Sequence, residues 1–407
     1  MVQTEMSHEQ RTIEASGHPY GDPQGWCRDV ADPCLNNHGP PVRTRLPYGH
    51  EGWMVTRFKD VRFVLSDRRF SHALAAKNDM PRLTPAPSSR ASLVSRVDPP
   101  EHTQMRRLFN TAFGPAQARG WQPWVKRHAD ARIDQIIATG PPADLARDLF
   151  DPVALNLIGE VMGVPARDRS RLQSWATAHQ STTVSCTDVE QSIGAACAYF
   201  DELVRNRHRQ PGDDIISEAL QIRDGRGYPI TDTEVASLAT GLFATGFETT
   251  TGQLQVSTHA LLSHPDQMAT LRAHPELMPQ AIEELIRYAP ILAGPARARC
   301  AVEDVEISDV LVQAGELVLP NIAAAGFDPT IIANPYQLDI SRQPVPSLIF
   351  GFGSYFCQGA QLARTAMSAV LLSLIEHFPH LRVAVPNEQL RWRKSRLRSL
   401  EELPVAW

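Results

Sequence analysis

Apolar residues recur at helical spacing through most of residues 101–290. Amphipathic stretches fall at 101–112, 118–138, 150–163, 166–180, 188–209 and 214–222, and each predicts a helix. Upstream, GWMVTRF at 52–58 alternates and predicts a strand, followed by a short helix over 59–66. Residues 76–97 carry three prolines and no clean period, so they predict a long loop with one helical turn. Past 290 the pattern changes. Short β-like runs at 303–307, 310–312 and 316–319 alternate with Asp, Gly and Pro. A helix resumes at 359–377, and 381–407 read as short strands. No repeat or linker interrupts the chain. The expectation is a loose N-terminal arm over 1–44, then one large, mainly α domain over 45–407 with a small β-rich part.

The longest helical stretch, 231–264, is weak in its own middle. Thr231 and Glu234 form a capping-box start and Pro265 ends it. Its centre holds Gly241, Gly246 and the run Thr249, Thr250, Thr251. Glycine costs about 1 kcal/mol inside a helix, and β-branched residues add to that. One reading is a local distortion that makes room for a ligand and offers it Glu248 and Thr249. The other is threonines bonded back to their own helix, with glycine at a close-packing site.

Residues 279–288 predict a short helix on which Glu284 and Arg287 share a face. Spacing alone favours a surface ion pair worth about 0.3 kcal/mol. The alternative is a buried pair that also holds Arg342.

The stretch 350–364, FGFGSYFCQGAQLAR, carries the most chemistry. A glycine-rich loop before a helix suits a phosphate, but it holds no lysine and too many aromatic residues. A catalytic thiol at Cys357 needs a histidine, and none lies near in sequence. A merely buried cysteine is the default. The remaining reading is an iron ligand. A thiolate at a helix N-terminus gains from the dipole and the free N–H donors. Glycines let the backbone pass close to a flat macrocycle, and phenylalanines pack on it and exclude water. This composition suits haem best.

Composition narrows the field further. The net charge of −5 gives no footprint for nucleic acid. The six cysteines are sparse and form no CxxC, which argues against a disulfide framework or a structural zinc site. The first thirty residues have neither a basic start nor an apolar stretch, so a soluble cytoplasmic protein is expected.

In register, Phe350, Gly351, Gly353, Cys357, Gly359, Leu362, Ala363 and Arg364 resemble the cysteine loop of the cytochrome P450 family, F-G-x-G-x-H-x-C-x-G followed by L-A-R. Gly246, Glu248 and Thr249 are similar to its A-G-x-(D/E)-T helix. Glu284 and Arg287 resemble its E-x-x-R, with Arg342 in the third place. DPPEHTQMRRL at 98–108 resembles the bacterial D-P-P-x-H-T-x-x-R-x-L run. The resemblance spans about residues 45–407 and reverses the bland readings above.

The resemblance implies a cytochrome P450 fold, with haem b between the long helix and the cysteine loop and Cys357 as the thiolate ligand of its iron. It implies that His102, Arg106 and Arg299 hold the propionates, and that Phe350, Gly351 and Gly359 shape the loop. Two departures stand out. Tyr355 replaces the usual His, leaving a neutral phenol to donate to a propionate, and Thr245 replaces Ala or Gly beside the oxygen site. Thr249 and Glu248 are the expected proton relay. Ferredoxin and ferredoxin reductase are the expected electron donors to a monomer, docking near Arg107 and Arg364. Substrate contacts are expected from Phe243, Thr245, Leu292, Pro295 and Leu397, with Arg297, Ser395 and Arg396 nearby. That set fits a mid-sized molecule with apolar and polar parts, of the aromatic or cyclic-dipeptide kind. The implied reaction is C–H hydroxylation, with oxidative coupling as the alternative and a non-catalytic haem sensor or carrier as the reading of another class.

Overall fold

Local signals for starting and stopping helices account for most of the architecture. The computed structural model describes residues 38–86, 90–292 and 294–407. Helices α1 (Phe58–Ser66), α2 (His72–Ala75), α3 (Glu101–Arg107), α4 (Pro115–Gly120) and α5 (Gln122–Thr139) come first. Then follow α6 (Asp151–Val161), α7 (Ala166–Gln180), α8 (Cys186–Arg209), α9 (Ile215–Arg226) and α10 (Asp232–Leu262). The last are α11 (Pro265–Ala273), α12 (Met278–Tyr288), α13 (Ile322–Ala325) and α14 (Ala360–His377). Helix α9 shows the logic. The Asp214 carboxylate accepts from the N–H groups of Ile216 and Ser217, and Gly227 ends the helix in the left-handed region. The capping box predicted for α10 is present, with Glu234 N–H to Thr231 Oγ1 at 3.2 Å and Thr231 N–H to Glu234 Oε2 at 2.8 Å.

The strands are β1 (Val42–Thr44), β2 (Gly52–Val55), β3 (Phe70–Ser71), β4 (Ala143–Asp144), β5 (Arg299–Ala301), β6 (Val305–Ile307), β7 (Val310–Val312), β8 (Leu317–Pro320), β9 (Arg382–Val383) and β10 (Pro404–Ala406). They form a five-stranded sheet in the order β1-β2-β8-β5-β3, a three-stranded sheet β4-β10-β9 and the hairpin β6-β7. The mainly α expectation with a small β part therefore holds. Residues 1–37, most of the expected arm, lie outside the described residues, as do Cys27 and Cys34. Val42–Thr44, assigned to that arm, pair instead with β2. Arg90–Arg96 form the one helical turn expected in the proline-rich loop.

Helix α10 runs unbroken for 31 residues, about 46 Å. It is buried along most of its length and packs against α6, α7, α8 and α14. Gly246 is a close-packing site, since a Cβ there would lie 2.8 Å from Ile158 Cδ1 of α6.

Glu284 and Arg287 are not a surface pair. Both are buried, and the guanidinium grips the carboxylate at 2.7 and 2.8 Å. Arg342 adds a 3.2 Å contact and the Asp339 N–H donates at 3.1 Å. Arg287 also donates to the carbonyls of Pro335 and Gly326, so helix α12 is tied to the coil that leads to the cysteine loop. Removing one partner strands a buried charge. Glu284→Ala is expected to lower unfolding stability by about 3–5 kcal/mol in urea denaturation. A loss under about 0.5 kcal/mol would place the pair in the surface class.

Candidate functional site

The cysteine loop is a tight hairpin of backbone bonds. The Cys357 N–H donates to the Phe350 carbonyl at 2.7 Å, and the Phe356 N–H to the Gly353 carbonyl at 3.1 Å. Gly351 and Gly353 sit at φ +78° and +67°, where side chains are strained. The thiol meets the N-terminus of α14, where the N–H groups of Gly359 and Ala360 favour its ionised form. Arg106 and Arg364 act in the same sense, yet burial outweighs all four and pushes the thiol up. Cys357 keeps accessible surface although it lies deep in the protein. Its open face therefore looks into the interior. Gln358 beside it lines a cavity of about 120 Å³ whose opposite wall is Gly241, Leu242, Ala244 and Thr245 of α10.

Beside this space stands a basic cluster. His102 is buried and neither ring nitrogen has a partner. Burial and the charge of Arg106 push its pKa down to about 4. Arg106 donates to the Phe356 carbonyl at 2.6 Å. Burial holds Arg299 down at about 9. Among the described residues, no ion pair within 4 Å engages Arg106 or Arg299. His72, which the sequence reading overlooked, joins them. It is 3% exposed, its Nδ1 meets Arg299 at 3.3 Å, and its Nε2 has no hydrogen-bond partner.

Tyr355 lies between the two histidines, with both ring centroids 3.9 Å from its own. Its hydroxyl does not face the cluster as expected. It donates to the Val97 carbonyl at 2.8 Å and Asp98 Oδ1 at 2.9 Å. Burial works to raise the pKa of Asp98, but Ser71, the His72 N–H and Tyr355 bond to it and hold it low. The carboxylate is thus engaged by its own neighbours, and Tyr355 serves as its anchor and as a flat spacer.

The centre of α10 combines both readings of its sequence. Thr245, Thr249 and Thr250 bond back to their own helix, whereas Thr251 does not. Thr245 donates to Gly241 at 2.7 Å, Thr250 to Gly246 at 2.7 Å, and Thr249 to the Thr245 carbonyl. No distortion interrupts the helix. Thr245 nonetheless stands exposed on the cavity wall. Glu248 is buried, its pKa raised by burial, and it accepts a hydrogen bond from Thr177 of α7. Thr177 was not anticipated, because 71 residues separate the two.

A second cavity of about 360 Å³ lies next to the first. Leu292 and Pro295 line it, as expected. Phe243 lines only a small pocket of about 20 Å³ between α7, α8 and α10. Leu397 is 1% exposed and lines neither cavity; its neighbour Arg396 lines both. The two lie in a bend of the C-terminal coil, which turns Leu397 into the core and leaves Arg396 at the cavities. Arg364, expected at a docking surface, is held by Glu283 at 3.0 Å and lies over Phe350, whereas Arg107 is exposed.

These residues fit haem. Cys357 offers a single sulfur to the interior at the foot of α14, as a haem iron requires of a thiolate ligand. The buried nitrogens of His102 and His72, with Arg299 and Arg106, are the donors that two carboxylates require. No single helix is long and apolar enough to cross a membrane, among the described residues.

A family model described as Cytochrome P450 matches residues 163–391. The chain is 40% identical over 399 residues to nocardicin C N-oxygenase of Nocardia uniformis subsp. tsuyamanensis, covering 97% of this chain and 99% of the relative. It is 37% identical to mycinamicin IV hydroxylase/epoxidase of Micromonospora griseorubida, over 97% of this chain and 100% of the relative. The crystal structure of cytochrome P450mel 107F1, described as having biaryl coupling reactivity, superimposes with a TM-score of 0.91 at 34% identity, covering 97% of this chain and 100% of that one.

The reduced protein under carbon monoxide is expected to show the strongly red-shifted band of thiolate-ligated haem. Cys357→Ser is expected to abolish it. A band retained in the variant would remove Cys357 from the ligand position.

Proposed function

Because the chain belongs to the cytochrome P450 family, whose members use haem with a cysteine thiolate ligand, we propose that it hydroxylates a C–H bond of a mid-sized aromatic or cyclic-dipeptide-like intermediate. At the coarser level it is an enzyme of the P450 monooxygenase class from natural-product biosynthesis, which leaves no place for a non-catalytic sensor or carrier. The observation that carries the reading is the cavity between Gln358, beside Cys357, and the polar centre of α10.

Bound haem b supplies the activation of O2, with two electrons from outside. Cys357 would hold its iron, and the N–H groups of Gly359 and Ala360 favour the ionised sulfur against the cost of burial. His102, Arg106 and Arg299 hold its carboxylates, while Phe350 and Gly351 shape the loop beneath. Thr249 carries the transferable proton on Oγ1. To present it to the cavity it must leave the Thr245 carbonyl, a turn about a single χ angle. Burial keeps a proton on Glu248 to a higher pH than an ordinary carboxyl would, and Glu248 feeds the relay toward Thr249 once its side chain leaves Thr177. Thr177 fixes the Glu248 rotamer and is a positioning residue. Thr245, Leu292 and Pro295 contact substrate. Electrons come from a ferredoxin and its reductase. Arg107 is the docking contact, since Arg364 is committed to Glu283.

Oxidative C–C or C–N coupling is the second reading. The likeness to the biaryl-coupling structure favours it. Under ¹⁸O₂, a product with a labelled hydroxyl supports hydroxylation, and an unlabelled dehydrogenative product supports coupling. Thr249→Ala is expected to slow product formation about 10-fold or more and to raise peroxide release. Unchanged rates and peroxide would remove Thr249 from the relay.

A further inference from the structure

Three cationic or basic side chains stand where the two cavities meet. Arg297, Arg396 and His179 line both the space of about 120 Å³ beside Gln358 and the larger one of about 360 Å³. They come from distant parts of the chain: the coil before β5, the C-terminal coil, and the last turn of α7. Arg96, at the end of the 3₁₀ turn, also lines the larger cavity. Both arginines keep part of their surface accessible although they lie deep in the protein, so that surface faces the cavities.

The local field is positive. Burial lowers Arg297 to about 10, helped by the charges of Arg396 and Arg96. Neutral pH lies well below that value, so Arg297 stays charged. Burial, with Arg396 and Arg297 close by, drives His179 down to about 3 and keeps it neutral. Arg396 is positioned by its own chain. Its N–H donates to the Gln180 carbonyl at 2.9 Å, and its Nε donates to Gln180 Oε1. The acid on the larger cavity is Asp79, and it is already engaged by Arg82. The charge of Arg396 adds to the lowering of Arg297, so the two guanidinium groups repel one another at the junction. Guanidinium groups with donors facing a cavity form a fork that matches a carboxylate. The rest of the larger cavity offers apolar surface from Leu83, Ala86, Val189 and Leu292.

We propose that the substrate carries a carboxylate, seated on Arg297 and Arg396, with its apolar body along the larger cavity. The inference rests on the P450 reading and narrows its substrate class to acids. Anchoring one end at the junction leaves the substrate a single way to reach past Thr245 toward the space beside Gln358. Regiochemistry then follows from the distance between the carboxylate and the oxidised atom.

The test is an absorption titration of the haem-loaded enzyme with aryl imidazoles, whose nitrogen ligates the iron and shifts the main band. The series is [4-(imidazol-1-yl)phenyl]acetate, propanoate and butanoate, each against its primary amide, with 4-phenylimidazole as the untailed reference. For the tail length that fits best, the acid is expected to bind about 10-fold more tightly than its amide. Arg297→Gln and Arg396→Gln should each bring that ratio near one, while 4-phenylimidazole still binds and the reduced carbon monoxide band persists. Acid and amide binding alike at every length overturns the proposal, as does a preference that survives both substitutions. A 4-phenylimidazole titration with no shift would overturn the haem reading itself and the proposal with it.

Discussion

The Glu284 carboxylate is the joint from which the catalytic half of the molecule hangs. It is buried, and it holds Arg287 through two bonds, Arg342 through a third and the Asp339 N–H through a fourth. Arg287 passes the constraint on to the carbonyls of Gly326 and Pro335. The coil from 326 to 342 makes few ladder bonds of its own, so its course is set by these charged contacts. That coil delivers residues 348–357 to the foot of α14. The Leu348 carbonyl accepts from Gly351, and the Phe350 carbonyl from Cys357, at 2.7 Å each. A buried ion pair is a poor way to gain net stability, because desolvation offsets most of the attraction. It is a good way to fix geometry, because no other arrangement satisfies the same charges.

Helix α10 resolves a conflict that its composition poses. A polar, β-branched centre weakens a helix, and a buried crossing helix needs strength. The hydroxyls of Thr245, Thr249 and Thr250 are each satisfied by the carbonyl four residues earlier. This costs the helix little and leaves a hydroxyl that can be released by rotation alone. Gly246 faces the other way and lets α6 approach to within contact of its Cα. Packing against α6, α7, α8 and α14 supplies the stability that the local sequence withholds.

What was legible in the sequence was whatever lay within one turn or one loop. The capping box of α10, the Glu284–Arg287 pair and the cysteine loop each need only neighbours three to ten residues apart. What was not legible depends on strand pairing and on helix faces. His72 reaches the cluster because β3 pairs with β5, Phe70 opposite Ala301 and Ser71 opposite Cys300. No local pattern marks that meeting of segments some 230 residues apart. The Tyr355 hydroxyl goes to the Val97 carbonyl and the Asp98 carboxylate, some 257 residues earlier in the chain, and a local motif does not mark that meeting. Glu248 turns to α7 rather than toward Thr249 because consecutive residues on a helix diverge by about 100°. Of the neighbours Arg396 and Leu397, both expected near the substrate, only Arg396 lines the cavities, because the bend they share turns Leu397 into the core.

The distribution of charge links the two halves of the site. The chain as a whole is acidic, at −5, yet its interior around the cysteine loop is basic. Arg299 and Arg297 are two residues apart at the entry to β5, and the Arg299 guanidinium donates to the Arg297 carbonyl at 2.7 Å. Besides burial, the charge of Arg297 lowers the pKa of Arg299 and also acts on His72. Such a pair is costly to fold, and the protein's own carboxylate in this region, Asp98, is taken by Ser71, His72 and Tyr355. The arrangement makes sense if each cation answers a different ligand: Arg299 the carboxylates of the cofactor, and Arg297 an acid on the substrate. An acid seated on Arg297 in turn steadies the β5 entry that holds Arg299. On that assignment, cofactor retention and substrate binding would be coupled through Arg297–Arg299, because an acid on Arg297 would weaken the repulsion it exerts on Arg299.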